Sequence, residues 1–165
     1  MIQEVSGDIL LSGAEVVAHG VAPNDHFNHG LALALRERYP AMYKDFRHFT
    51  QSTHAEPGEI WVWSGVGEHG TVRIAALLTQ EGDYHQGGHA GRAHVEHVNH
   101  ALKRLRKWID REKPSSIALP RLATGVGGLD WKDVRPIIEH HLGDLSIPVV
   151  LYTTYHADQK AEEKL

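Results

Sequence analysis

Four segments of this chain, residues 14–22, 71–79, 116–120 and 147–153, are apolar at nearly every position. A strand that buries one face alternates apolar with polar residues, so an uninterrupted apolar run marks a strand covered on both faces. A sheet of such strands needs a layer on each side, and the intervening sequence supplies helices. The clearest spans residues 92–112, where Val98, Ala101, Leu102, Leu105, Trp108 and Ile109 recur at three and four residues before Lys113-Pro114 stops it. Buried strands alternating with amphipathic helices predict an α/β fold: a three-layer α/β/α sandwich on a mixed central sheet, with ligands at the carboxyl ends of its strands.

The remaining elements fit that plan. Residues 1–6 read as a short strand closed by Gly7-Asp8. Over residues 28–38, Leu31, Leu33 and Leu35 alternate as in a strand, but the strong helix formers around them favour a helix, ended by Tyr39-Pro40. A second helix is expected over residues 41–49. Ile60, Trp61, Val62 and Trp63 favour a strand over residues 59–64, with 65–70 as a hairpin connection to the next strand. Asp130 is placed to cap a helix that carries Val134, Ile137, Ile138 and Leu142, with Pro136 expected to make its first turn irregular.

The length suits one domain, residues 1–155, followed by a charged tail, 156–165, expected to fray. With no cysteine, disulfides, thiolate metal sites and cysteine nucleophiles are excluded, and a reducing compartment fits. The start Met1-Ile2-Gln3-Glu4 has no positive region, and no eighteen apolar residues run together, so a cytoplasmic chain that does not span a membrane is expected. A net charge of −4 argues against binding duplex nucleic acid directly. Lys103, Arg104, Arg106, Lys107 and Arg111 read instead as a solvated helix face. A monomer is expected.

Two loops stand out. After the strand at 116–120 comes Arg121-Leu122-Ala123-Thr124-Gly125-Val126-Gly127-Gly128-Leu129-Asp130-Trp131, a glycine-rich turn that opens a helix. Unpaired amides and the positive end of a helix dipole form an anion cradle there, and glycines let the backbone approach a phosphate. After the strand at 71–79, the long glycine-rich loop 80–89 is a candidate functional segment, with Gly87-Gly88 letting it close as a lid.

Four segments in order resemble the macro domain family, which binds ADP-ribose and its derivatives. They are Gly7-Asp8-Ile9-Leu10, Ala18-His19-Gly20-Val21, Gly30-Leu31-Ala32 with Arg36, and the run from Pro120-Arg121-Leu122 through Gly125-Val126-Gly127-Gly128-Leu129-Asp130-Trp131. Within the family, the Ala-His strand end and the Pro-Arg-Leu and Leu-Asp-Trp flanks resemble the terminal ADP-ribose glycohydrolase class, which includes antitoxins that remove ADP-ribose from DNA bases.

The resemblance implies that Asp8 accepts from the adenine N6 amino group, with the Ile9 N–H beside it and Tyr155 available to stack. It implies that Leu122, Ala123, Thr124, Gly125, Val126, Gly127 and Gly128 wrap the diphosphate. Ala22, His29, Gly30 and Leu31 would bound the distal ribose. The partner implied is ADP-ribose or an ADP-ribosylated macromolecule, with no cofactor. The class places a nucleophilic lysine directly after a Leu-x-Thr strand end; here Leu77-Leu78-Thr79 is followed by Gln80, whose amide cannot form a Schiff base. The reading is therefore ADP-ribose binding with hydrolysis at the distal ribose by a lysine-independent route. The alternatives are a non-catalytic ADP-ribose reader and an ADP-ribose 1″-phosphate phosphatase.

Each role has a plainer counterpart. Asp8 can simply cap a turn, and Tyr155 can pack at the core edge. Thr124 can offer its hydroxyl to phosphate, Arg121 can be an ion-pair partner, and Trp131 anchors the loop. Asp25 and His26 in the first loop, with Glu81 after the missing lysine, are the candidate acids and bases; His29 and Asp83 share that chemistry, and the alternative for all is a solvated loop. His94, His97 and His100, preceded by His85 and His89, raise the question of a metal; helical spacing cannot bring all three helix histidines to one ion, a two-histidine site completed by the loop is the remaining alternative, and no metal is assigned. A bulky residue at Gly127 is expected to collide with the diphosphate.

Overall fold

The computed structural model describes residues 2–67, 70–82 and 91–165. Strands β1 (Ile2–Gly7), β2 (Val16–Val21), β3 (Ile60–Gly67), β4 (Gly70–Leu78), β5 (Ile117–Pro120) and β6 (Val149–Tyr155) form one sheet in the order β1-β6-β5-β2-β4-β3. Every neighbouring pair is parallel except β3 with β4. Helices α1 (Gly30–Arg38) and α2 (Pro40–Thr53) follow β2, α3 (Val95–Glu112) follows β4 and α4 (Trp131–Leu142) follows β5. The expected mixed sheet between helical layers is what forms.

Alternation along β4 divides the core. Ala75 and Leu77 pack with Leu102 and Leu105 of α3 and Ile138 of α4, whereas Ile74, Ala76 and Leu78 pack on the opposite side with Phe27, Met42 and Phe46. Leu102 and Leu105 are fully buried, each contributing roughly 2 kcal/mol of hydrophobic stabilisation. A third cluster, Val17, Ala118, Val150 and Tyr152, lies beneath the 3-10 turn Ile9–Leu11 and Ala161.

Several boundaries differ from the sequence reading for identifiable reasons. Residues 28–29 stay outside α1, which opens at Gly30. Tyr39 is at once the C-cap of α1 and the N-cap of α2, and Pro40 opens α2 at its first turn, so Tyr39-Pro40 turns the chain between two helices. β3 continues to Gly67, which pairs with Gly70, and residues 68–69 of the expected connection lie outside the described residues. α3 starts at Val95 because Ala93 forms an antiparallel bridge with Gln80. Asp130 does not cap α4 with its side chain; its carbonyl accepts from the Asp133 and Val134 N–H groups, and its carboxylate stands 3.9 Å from the Lys132 ammonium. α4 runs unbroken through Pro136.

The charged tail does not fray. The Gln159 carbonyl accepts from the Asp8 N–H at 2.7 Å, the Asp158 N–H donates to the Asp8 carboxylate at 3.0 Å, and Ala161 is buried. A Cβ at Gly7 would stand 2.8 Å from the Gln159 carbonyl oxygen, so the close return of the tail requires glycine there. Glu163 accepts from the Ser12 hydroxyl at 2.6 Å, the Gly13 N–H at 2.9 Å and the Tyr152 hydroxyl at 2.9 Å. Burial, helped by that carboxylate, holds the Tyr152 phenol above its ordinary range. Composition marked the segment as charged, but a charged residue with three donors waiting is an anchor. Glu163→Ala should lower stability by about 2 kcal/mol, a fall in Tm of roughly 4–8 °C, measured by thermal and urea unfolding; an unchanged Tm would show that the tail contributes nothing.

Candidate functional site

Parallel pairing brings the carboxyl ends of β1, β2, β4, β5 and β6 to one edge of the sheet. Asp8 and Ile9, the loop 22–29, residues 79–82, the loop 121–130 and Tyr155 therefore share that edge. Backbone hydrogen bonds cross it in series. Thr79 N–H donates to the Val21 carbonyl at 3.1 Å, His94 N–H to the Thr79 carbonyl at 3.3 Å, and Ala93 N–H to the Gly127 carbonyl at 3.0 Å.

The glycine loop is shaped by its own bonds. Ala123 adopts φ 60°, the Leu129 N–H donates to its carbonyl, and the Gly128 N–H donates to Gly125. The N–H groups of Gly125, Val126 and Gly127 meet no acceptor among the described residues. Val126 is exposed, and a Cβ at Gly125 would enter open space. The Arg92 guanidinium stands beside Gly128, 3.3 Å from where a Cβ would project. Successive amides without acceptors among the described residues, with a cation next to Gly128, give this loop the chemistry to hold an anion. Sequence reading missed Arg92, whose separation of 36 positions from Gly128 gives no local signal.

Other residues of this loop serve the fold. Leu122 is buried in the core, so only its backbone can meet a ligand. The Thr124 hydroxyl donates to the Arg121 carbonyl at 3.1 Å, and the Arg121 guanidinium lies 5.4 Å over the Trp131 ring, which packs on the core as an anchor. Gly127 is not open to a ligand at its α-carbon. A Cβ there would stand 2.7 Å from the Ala123 carbonyl oxygen and 2.9 Å from the Ala93 Cβ, so the expected collision with a diphosphate is replaced by a clash within the protein.

Asp8 is buried, and its two oxygens accept from the Leu10 and Asp158 N–H groups at 3.0 Å each. The cap reading is thus realised, and each carboxylate oxygen keeps a second lone pair. Ile9 packs in the core beneath it, while Tyr155 is 67 % exposed, so the core-edge alternative for Tyr155 does not hold.

In the first loop, Asp25 organises the chain: its oxygens accept from the Ala22 N–H at 3.2 Å and the Phe27 N–H at 2.8 Å. Phe27, unnoticed in the sequence, is fully buried at φ 55° against His19, Tyr43 and Phe46 and fastens the loop to the core. A lone aromatic residue amid polar neighbours was its signal. His26 is exposed, and Nδ1 accepts from the Arg47 guanidinium at 2.7 Å on the α2 side. His29 and Gly30 are exposed at the start of α1, with Leu31 packed beside them.

Gln80 is buried, and its amide donates to the Gly91 carbonyl at 2.9 Å. Glu81 is exposed, and its carboxylate accepts from His97 Nε2 at 2.7 Å, with His94 Nε2 3.9 Å away. Asp83, His85, Gly87, Gly88 and His89 lie outside the described residues. His100 stands apart from the pair, against Gly58.

His19 is wholly enclosed beneath this edge, neither ring nitrogen has a partner among the described residues, and burial lowers its pKa to about 4. The Thr79 hydroxyl is likewise buried without a partner among the described residues.

No family model matches the chain. The DNA ADP-ribosyl glycohydrolase of Mycobacterium tuberculosis is 28% identical over 135 residues, 82% of this chain and 37% of that protein. A DNA ADP-ribosyl transferase–DNA ADP-ribosyl glycohydrolase fusion protein of Thermosipho africanus is 23% identical over 162 residues, 90% of this chain and 40% of that one. The chain thus spans about two fifths of the length of these curated relatives. Among solved structures, the macrodomain of Thermus aquaticus DarG superimposes with a TM-score of 0.80 at 26% identity, over 93% of this chain and 98% of that one. The macrodomain of Mycobacterium tuberculosis DarG gives 0.82 at 25% identity, over 92% and 97%.

Gly127→Val should cost more than about 2 kcal/mol in urea unfolding, whatever its effect on ligand, because the clash is internal; stability at the wild-type level would contradict this packing. His19 gives a pH signature. Its folded pKa lies below the unfolded value, so the unfolded chain holds the extra proton between those values, and stability is lost as pH falls from 6.5 to about 4. The loss should be roughly 3 kcal/mol, and His19→Leu should flatten that part of the profile.

The chain has the fold of the DarG macrodomains, and its sequence is similar to proteins named DNA ADP-ribosyl glycohydrolase.

Proposed function

We propose that this chain binds ADP-ribose along the carboxyl edge of its sheet and hydrolyses at the distal ribose, releasing ADP-ribose from modified DNA. The observation that carries the binding is the set of Gly125, Val126 and Gly127 amides without acceptors among the described residues, in the loop before α4, with the Arg92 guanidinium next to Gly128. A diphosphate bridges two charged groups over a few ångströms and suits several amides in succession. In this reading the adenine lies by Asp8, Ile9 and Tyr155, and the backbone of Leu122 and Ala123 with Thr124 and Gly128 completes the diphosphate cradle. The distal ribose meets Ala22, His29, Gly30 and Leu31. A Thermosipho africanus DarTG structure solved in complex with ADP-ribose has the same fold, with a TM-score of 0.81 at 20% identity over 96% of this chain and 42% of that one. DNA as the modified target is taken from the named activity of the curated relatives.

Hydrolysis here needs an activated water, because a buried glutamine amide offers no nucleophile. Asp25, His26 and Glu81 are the groups proposed for that task. All three have protein partners already. That observation favours a second reading, a module that reads ADP-ribose without turnover.

Calorimetry with ADP-ribose is expected to show one saturable site, and Gly125→Val to weaken it at least 10-fold without lowering Tm, since the added side chain fills only ligand space. Parallel incubation with an ADP-ribosylated DNA oligonucleotide, an ADP-ribosylated protein and ADP-ribose 1″-phosphate is expected to release product from the DNA alone. Binding without turnover supports the reader, and turnover of the phosphate alone supports a phosphatase. Absence of binding overturns the whole placement.

A further inference from the structure

Glu81, His94 and His97 converge although the chain separates the carboxylate from the imidazoles by 13 and 16 positions. One ligand atom from each lies within 4.8 Å of the other two. We propose that these residues form a binding site for a divalent transition-metal ion of the zinc class. This inference does not rest on the ADP-ribose reading.

The donor set is one carboxylate and two imidazoles, which suits zinc, nickel or cobalt and is poorly matched to magnesium or calcium, whose sites are built of oxygens. Metal–ligand bonds of about 2.0–2.2 Å at tetrahedral angles put neighbouring donor atoms about 3.3 Å apart. Here His97 Nε2 lies 2.7 Å, and His94 Nε2 3.9 Å, from the same Glu81 oxygen. These two separations straddle the bonded spacing, each within about 0.6 Å of it. The rings of His94 and His97 are near-perpendicular with centroids 5.3 Å apart, so they are not stacked face to face.

The backbone beneath the cluster is held from both sides. The Glu81 N–H donates to the Arg92 carbonyl at 3.1 Å, the Gly91 N–H donates to the Glu81 carbonyl at 2.8 Å, and Gln80 bridges Ala93. His94 is the N-cap of α3 yet makes no side-chain cap bond, so its imidazole is not spent on the helix. His97, one turn further on, lies on the same helix side. Helical spacing excludes His100 from that group but leaves His94 and His97 together, and the Gln80–Ala93 bridge then delivers the carboxylate. That bridge is what the sequence did not show. With three protein donors, at least one coordination position stays open to water.

Bound metal would tie the segment leaving β4 to the first turn of α3. The neighbouring Ala93 N–H holds the Gly127 carbonyl, so the ion would stiffen the same connection that supports the glycine loop.

The test uses untagged protein dialysed against a chelator, titrated with zinc chloride and, in parallel, magnesium chloride, with no ADP-ribose present. One equivalent of zinc should bind, with Tm raised by about 5–10 °C at zinc 100-fold above Kd, and magnesium should leave Tm unchanged. Glu81→Gln, His94→Ala and His97→Ala should each weaken binding at least 10-fold, and Glu81→Gln and His94→Ala should keep the metal-free Tm, because those two side chains are exposed whereas His97 is partly buried. His100→Ala should bind as wild type. Lack of saturable zinc binding overturns the proposal, as does one-equivalent binding that survives in the combined Glu81→Gln, His94→Ala, His97→Ala variant or is lost equally in His100→Ala. Cobalt absorption of the tetrahedral type, present in wild type and lost in His94→Ala, is the expected spectroscopic signature.

Discussion

The ligand edge hangs on a run of backbone hydrogen bonds perpendicular to the strands: Val21 to Thr79, Thr79 to His94, then Ala93 to Gly127. Parallel pairing of β2 with β4 and with β5 sets the starting points of that run. Each bond joins a segment that belongs to no strand or helix to one already fixed by the core. The free amides of the glycine loop are thus positioned by the sheet through two intermediaries, and the loop holds its shape at φ 60° at Ala123 because Leu129 returns to bond it. Such preorganisation lowers the entropy a ligand must remove on binding.

The layers were legible because buried strands declare themselves by composition. The β4 residues 74–78 are apolar throughout, and both helical layers are needed to cover them. Helix α1 was legible against its leucine alternation because propensity outweighed pattern over a short span. What escaped were features made by partners distant in sequence: the Gln80–Ala93 bridge that shortens α3, the donors that recruit Glu163, and Arg92 beside Gly128. A periodicity read along the chain carries no information about contacts across 13 or 151 positions.

Candidate acids and bases were found by residue type, and type is where sequence reading is weakest. Asp25 is a turn organiser, His26 accepts from Arg47 and Glu81 faces His97. A polar loop must satisfy its own backbone before it can serve a ligand, and short acidic side chains are the usual means. The single apolar member of that loop, Phe27, holds it in place.

The first strand and the last residues depend on each other. β1 lies at the sheet edge with β6 as its partner, and Asp8 completes its bonds through residues 158 and 159, 150 and 151 positions later. Contacts of such separation form late, since closing a long chain loop precedes any gain from them. During synthesis on a ribosome, the bonds around Asp8 would form after the glycine loop has its supporting strand β5, because residues 158 and 159 are made later. A nascent chain can therefore hold the glycine loop in its folded shape while the turn around Asp8 still awaits residues 158 and 159, so the two ends of the sheet's carboxyl edge need not become ordered together.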